Sequence, residues 1–286
     1  MSEIQVRGSG HVFAGKRCSV ASTAQVLFSG DGILRLADYV TIGDNVKIII
    51  EAGEVHIGDW TTLHAGTTLF SKAGINMGAH CWFGQHSVVD GTGGLTVERG
   101  VRVGMFSQIW THVAAGEQIE GCTLFAENRT HIERDVWLVG TCTVGSGVRI
   151  GERTIALAGS NIVSNCLPGV VVAGAPAKVK DKLSFYKPMS LVDKMELLRG
   201  WMSNPAFVQA ADVKVVFGDE HLSCVAPNGN SVIFFMRHED YAAYDPPHGI
   251  TPCCLETKAY VKKFTSIEYS VMKYLAGNKA RFYSND

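Results

Sequence analysis

Aliphatic residues recur at every sixth position over much of this chain and fall into triples: Leu36, Ile42, Ile48; Ile57, Leu63, Leu69; Met77, Phe83, Val89; Val97, Val103, Ile109; Ile132, Leu138, Val144; Ile150, Ala156, Ile162. Ile57, Met77 and Val97 are spaced by 20 residues, whereas Ile132 and Ile150 are spaced by 18. Three hexads account for the shorter step, so the longer one places two extra residues at one corner of a coil. A second column lies two positions before each following anchor, at Thr61, Thr67, Cys81, Ser87, Val101, Ser107, Val136, Cys142, Val148, Thr154, Ser160 and Cys166. Its members are small or β-branched. Alternate residues of a strand share a face, so both columns point inward. Each hexad then forms a short strand and a bend, and three bends close a triangular coil. Coils stack, bond to one another through their backbones and share one apolar core. All 8 prolines lie at Pro168 or beyond, as a strand ladder requires. Residues before Leu36 follow the repeat only loosely, at Val20 and Val26.

The repeat ends near Pro176 and a different pattern follows. Residues 191–202 alternate at helical spacing behind Ser190, a suitable N-cap. Strands are expected over 213–217, 222–225 and 232–236, the last two joined by a hairpin at Asn228-Gly229. Thr265-Ser266-Ile267-Glu268 reads as a capping box that opens a helix ending near Gly277. The expected organisation is a β-helix over residues 1–182, with its clearest coils at 36–176 and a loop insertion at 113–131, and a small α+β domain over 183–286. That second domain would also shield the open end of the coil stack. It carries no catalytic motif.

Composition narrows the setting. The net charge is −1 and the chain is 46% hydrophobic. No basic excess points to nucleic acid, and no apolar run approaches the ~20 residues of a membrane span. The start, Met1 to Gln5, has neither the basic nor the apolar segment of a secretory leader. Of the 8 cysteines, Cys81, Cys142 and Cys166 occupy the small inward column, and no CxxC pair supports a zinc ribbon. Cys253-Cys254 reads as a buried or edge thiol pair. A reducing cytoplasm suits this usage.

The repeat breaks between Ile109 and Ile132, a gap of 23 residues that holds one hexad plus 17 more. Insertions of that length inside a compact domain are usually functional. His112 stands at its mouth, with a coil beneath it and a loop above it. An imidazole there suits a general base, because its pKa lies near working pH. Position alone favours the plainer reading, a surface or loop histidine bonded to a carbonyl.

The segment Thr130-His131-Ile132-Glu133-Arg134-Asp135-Val136-Trp137-Leu138-Val139-Gly140, with Val172-Ala173-Gly174-Ala175-Pro176-Ala177-Lys178-Val179, resembles the closing part of hexapeptide-repeat acyltransferases. The likeness spans roughly residues 36–182 and is to the branch of maltose and galactoside, xenobiotic and surface-polysaccharide acetyltransferases. It implies a left-handed parallel β-helix, a homotrimer with active sites between subunits, acetyl-CoA as donor and no metal. It implies that His112 is the base. It implies that Gly140 and Ala158 bond the pantetheine arm, that Trp137 lies beside it and that Lys178 meets the nucleotide phosphates. Asp90 matches a position where some relatives hold the acceptor, although a turn aspartate fits it as well. Trp110 is placed to stack on a sugar or to pack the loop. His86 lies on another side of the triangle from His112, so the two can approach only between subunits. The chain departs from the pattern at Ser164, where many relatives carry lysine, at Asp181, where some carry arginine, and at Val139, which separates Leu138 from the glycine. Lys180 and Lys182 are available in compensation.

The resemblance points to O-acetylation of a sugar or cell-surface polysaccharide precursor, by direct transfer. N-acetylation of an amino-sugar nucleotide or an antibiotic is the alternative within the same chemistry. A non-catalytic β-helix scaffold and a γ-type carbonic anhydrase are the alternatives outside it, the latter without the close histidine pair that its zinc requires.

Overall fold

The computed structural model describes residues 4–114 and 116–284, so the leader reading at Met1 to Gln5 lies partly outside the described residues. The chain divides into two compact units, Met1–Tyr186 and Lys187–Asp286.

The first unit is a stack of coils with three parallel faces. Among the described residues, face A runs from Gln5–Arg7 through Val88–Gly91, Gln108–Ile109 and Thr143–Val144 to Asn161–Ile162. Face B runs from His11–Ala14 through Leu95–Val97 and Thr130–Ile132 to Arg149–Ile150. Face C runs from Ser19–Val20 through Trp137–Leu138 to Val171–Ala173, where Lys178–Val179 folds back antiparallel on its edge. The anchors pair in register up each face: Ile57 with Met77, Met77 with Val97, and Val97 with Ile132 directly across the insertion. All six triples are buried, and the inward column is buried as well except for half-buried Cys166 in the last coil. Each fully buried aliphatic anchor contributes about 1.5–3 kcal/mol, and the stack shares one continuous core.

The coils begin earlier than the repeat suggests. Val20 pairs with Ile42 and Val26 with Ile48, and strands at Gln5–Arg7 and His11–Ala14 pair onto the same ladders. The hexad fades there because the outermost coil buries little, and both of its first strands are largely exposed.

The corners have a rule of their own. The residue three places after an anchor adopts a left-handed backbone, at Tyr39, Asn45, Trp60, His80, His86, Phe106, Asp135, Thr141 and Arg153, with φ between 49° and 61°. Glycine fills the same place at Gly66, Gly100, Gly147 and Gly159. Non-glycine residues adopt this conformation at a cost. Here each is held by the coil before it, as when Trp60 N–H bonds Asp38 O, His86 N–H bonds Ala65 O and Asn45 N–H bonds Thr23 Oγ1.

The second unit is a six-stranded mixed sheet, ordered Lys214–Phe217, His221–Val225, Ser231–Phe235, Ile250–Cys254, Ala259–Tyr260, Tyr283–Ser284. The helix Leu191–Met202 opens with a complete capping box between Ser190 and Asp193. The box expected at Thr265 forms only in part. Thr265 accepts from Glu268 N–H, but the Glu268 carboxylate is fully buried and accepts instead from Lys263 N–H, Phe264 N–H and Thr251 Oγ1. Cys253 and Cys254 are both buried, and burial pushes the Cys253 thiol well up. Among the described residues no helix is long and apolar enough to cross a membrane.

Candidate functional site

The extra residues of the longer coils fall at the corner between faces A and B, and the insertion arises at that same corner. Its two arms, His112–Ala114 and Phe125–Glu127, pair antiparallel, with His112 opposite Glu127. The loop is therefore a hairpin standing on the coil stack. Its base is clamped from both sides. Thr111 O accepts from Asn128 N–H at 2.9 Å and from Ser146 Oγ, one coil above, at 2.8 Å. Below, Gly93 N–H donates to Thr111 Oγ1 at 2.9 Å.

This base delivers His112 onto Asp90, which ends the face A strand of the coil beneath. His112 Nδ1 lies 2.9 Å from Asp90 Oδ2. The same oxygen accepts from Thr111 N–H at 2.8 Å and Thr111 Oγ1 at 2.6 Å. The other oxygen accepts from Thr92 N–H at 3.2 Å and Thr92 Oγ1 at 2.5 Å. Asp90 is 2% exposed, while the His112 side chain is 34% exposed. Burial alone would raise the Asp90 pKa, but the hydrogen bonds from Thr111, Thr92 and His112 outweigh it and hold the carboxyl below its ordinary value. An ionised Asp90 favours the imidazole tautomer that carries its proton on Nδ1, facing the carboxylate. Trp110 stands edge-on to His112, with ring centroids 6.0 Å apart, and its Nε1–H bonds Gln108 Oε1.

Of the residues expected at the site, the fold thus brings together Asp90, Trp110 and His112. Asp90 is not exposed to meet an acceptor as expected. Its carboxylate is buried and both oxygens are occupied, so it faces the histidine. The remaining residues gather elsewhere. His86, Gly140 and Ala158 lie along the corner between faces C and A, the other end of face A. His86 is exposed there, stacked on Phe106 at 5.5 Å and lying over Gly66, where a Cβ would come within 2.3 Å of its ring. Gly140 O accepts from Gly159 N–H of the next coil. Trp137 is 46% exposed on face C, with Met105 and Phe106 exposed near it at the C–A corner. Lys178 is exposed on the antiparallel edge strand. Thr92 bonds Asp90 and Ser146 bonds Thr111 O, yet nothing marks either in sequence. The two extra residues at the Asp90 corner were the available signal.

No protein-family model matches the chain. Over 70 residues it is 39% identical to 2,3,4,5-tetrahydropyridine-2,6-dicarboxylate N-acetyltransferase of Clostridium perfringens, a match covering 24% of this chain and 29% of that protein. The chain thus spans under a third of the length of the curated relatives it matches. In structure it is similar to the polySia specific acetyltransferase NeuO, with a TM-score of 0.56 and 15% sequence identity, covering 67% of this chain and 93% of the other. The coils, their parallel faces and this likeness identify the first unit as a left-handed parallel β-helix of hexapeptide repeats, the fold of NeuO.

Proposed function

We propose that the protein is an acetyl-CoA-dependent acyltransferase that O-acetylates a sugar or polysaccharide precursor, with His112 as general base and Asp90 as the residue that positions it. One observation carries the reading: the buried Asp90 carboxylate holds Nδ1 of a partly exposed histidine at the point where the coils are interrupted. In the proposed step His112 Nε2 takes the proton of the acceptor hydroxyl as its oxygen attacks the thioester carbon. A backbone N–H stabilises the oxyanion, and Gly140 N–H, which has no acceptor among the described residues, is the candidate donor. The carbon–sulfur bond then breaks, and His112 returns the proton to the departing CoA sulfur. Asp90 stabilises the imidazolium in between. A neutral amine would be handled in the same way, and the match to an N-acetyltransferase makes N-acetylation the second reading.

The site as proposed needs more than one copy of the chain. His112 stands at one end of face A and Gly140 and Ala158 at the other, separated by a hexad of up to ~20 Å. A second copy set against face A would bring its own C–A corner to the first copy's His112, and a closed ring of three copies satisfies every corner. The outward surface of face A favours this, since Leu27, Ile49 and Phe70 stack along it in register with Val88 nearby. The outward surface of face B carries Arg35, Glu54, His56 and Arg149 instead. Exposed Trp137, Met105 and Phe106 suit the methylene and methyl groups of a pantetheine arm beside Gly140, and exposed Lys178 suits a phosphate.

The test is donor binding. Acetyl-CoA at about 100 times its Kd should stabilise the protein by ~2.7 kcal/mol, seen as a melting temperature raised by several degrees. No shift with acetyl-CoA on the order of millimolar would remove the proposal and leave the scaffold reading in its place.

A further inference from the structure

A recess of about 330 Å³ opens on face B, bounded by Glu54, His56, Gly74, Asn76, Leu95 and Arg129. The transfer step makes no use of it, yet it belongs to the corner that carries His112. Arg129 follows by two residues Glu127, the cross-strand partner of His112, and Asn128 between them bonds Thr111.

The charges of this surface are not evenly satisfied. Arg35 is paired with Glu54 at 3.1 Å, His131 with Glu98 at 2.8 Å, Lys72 with Glu127 at 3.8 Å, and Arg149 with Glu133. Arg129 has no carboxylate partner among the described residues, and its Nη1 makes only a long 3.4 Å bond to Thr96 Oγ1. Its guanidinium lies flat against Gly94, where a Cβ would sit 3.3 Å from Nη2 and 3.4 Å from Cζ. Gly94 is at φ +88°, a backbone conformation that favours glycine. A guanidinium seated on a glycine at the wall of a recess, with its fork unpaired, is the arrangement that receives a planar anion in bidentate fashion.

We infer that this recess is an anion subsite for the acceptor. Arg129 receives a carboxylate or phosphate carried by the sugar whose hydroxyl lies at His112. The inference rests on the acyl-transfer reading for the hydroxyl, while the subsite itself needs no donor.

Three hexoses that differ only at carbon six test it: glucose, glucuronate and glucose 6-phosphate. Their binding to the full chain is followed by saturation-transfer NMR with no acetyl-CoA present. An anionic hexose should bind more tightly than glucose, and added salt should weaken it, because the guanidinium is exposed. Arg129→Gln should lower affinity for the anionic sugar by roughly three- to tenfold, to the level of glucose, and Arg129→Lys should keep part of the preference. Preference for glucuronate assigns a uronic-type acceptor, and preference for glucose 6-phosphate assigns a phosphorylated one; both support the subsite. Equal binding of all three, or an anion preference unchanged by Arg129→Gln, overturns it. Failure here leaves acetyl-CoA binding untouched, and failure of acetyl-CoA to bind leaves this measurement unaffected.

Discussion

Replacing His112 with alanine is expected to slow acetyl transfer by roughly 10²–10⁴-fold, the range that a positioned general base supplies. The protein should still fold and bind acetyl-CoA. The His112 side chain is 34% exposed and contributes one hydrogen bond to a carboxylate that keeps its bonds from Thr111 and Thr92. The hairpin is anchored by Asn128 and Ser146 whatever occupies position 112. Release of the CoA thiol against a panel of sugar acceptors measures the rate, and an acetyl-CoA melting shift measures binding. Unchanged turnover in the variant would remove His112 from the mechanism.

Asp90→Asn should cost nearly as much in rate, again roughly 10²–10⁴-fold, by a different route. A neutral amide no longer stabilises the imidazolium, nor does it hold the proton on Nδ1 with the strength of a carboxylate. The variant is near in shape, so its cost to stability is about 1–3 kcal/mol. If the amide oxygen turns toward Thr111, the amide nitrogen is left opposite Thr92 N–H, which loses its acceptor. The pH dependence separates charge from shape. The folded-state pKa of Asp90 lies below its ordinary value. Its stabilisation is therefore fully present above the unfolded carboxylate pKa of about 4 and is lost as pH falls through the depressed folded value. Stability of Asp90→Asn should fall less steeply in that acid range. An acid profile identical to the natural protein's, with turnover intact, would mean that Asp90 is only a turn residue.

The coil architecture was legible because one residue in six must be apolar and its partner column small, so the core writes itself into the sequence. The corners were not. A left-handed backbone usually announces itself as glycine or asparagine, but here it falls on Tyr39, Trp60, His80 and Phe106. Their conformation is imposed by the neighbouring coil, which no local propensity reveals. His112 was legible because the repeat stops beside it. Its partnership with Asp90 was not, since 22 residues separate them and only the stacking of one coil on the next brings them together. In the second unit Ser190 and Asp193 form the cap that their spacing announces. Glu268 has the same spacing from Thr265, yet tertiary partners at Thr251, Lys263 and Phe264 take its carboxylate. The strand Ile250–Cys254 is not legible in the sequence, because Pro252 sits at its centre, where a ladder strand rarely tolerates proline.

In the proposed assembly His112 of one copy and the C–A corner of another enclose the reacting thioester. A crystal structure with CoA tests it most directly. The expected result is a ring of copies in contact through face A. In it the pantetheine arm would run beside Gly140 and Ala158, and the thiol would end within about 3–4 Å of the neighbouring copy's His112 Nε2. CoA bound with its sulfur remote from every His112, or chains that meet through the charged face B and leave the two corners apart, would contradict it.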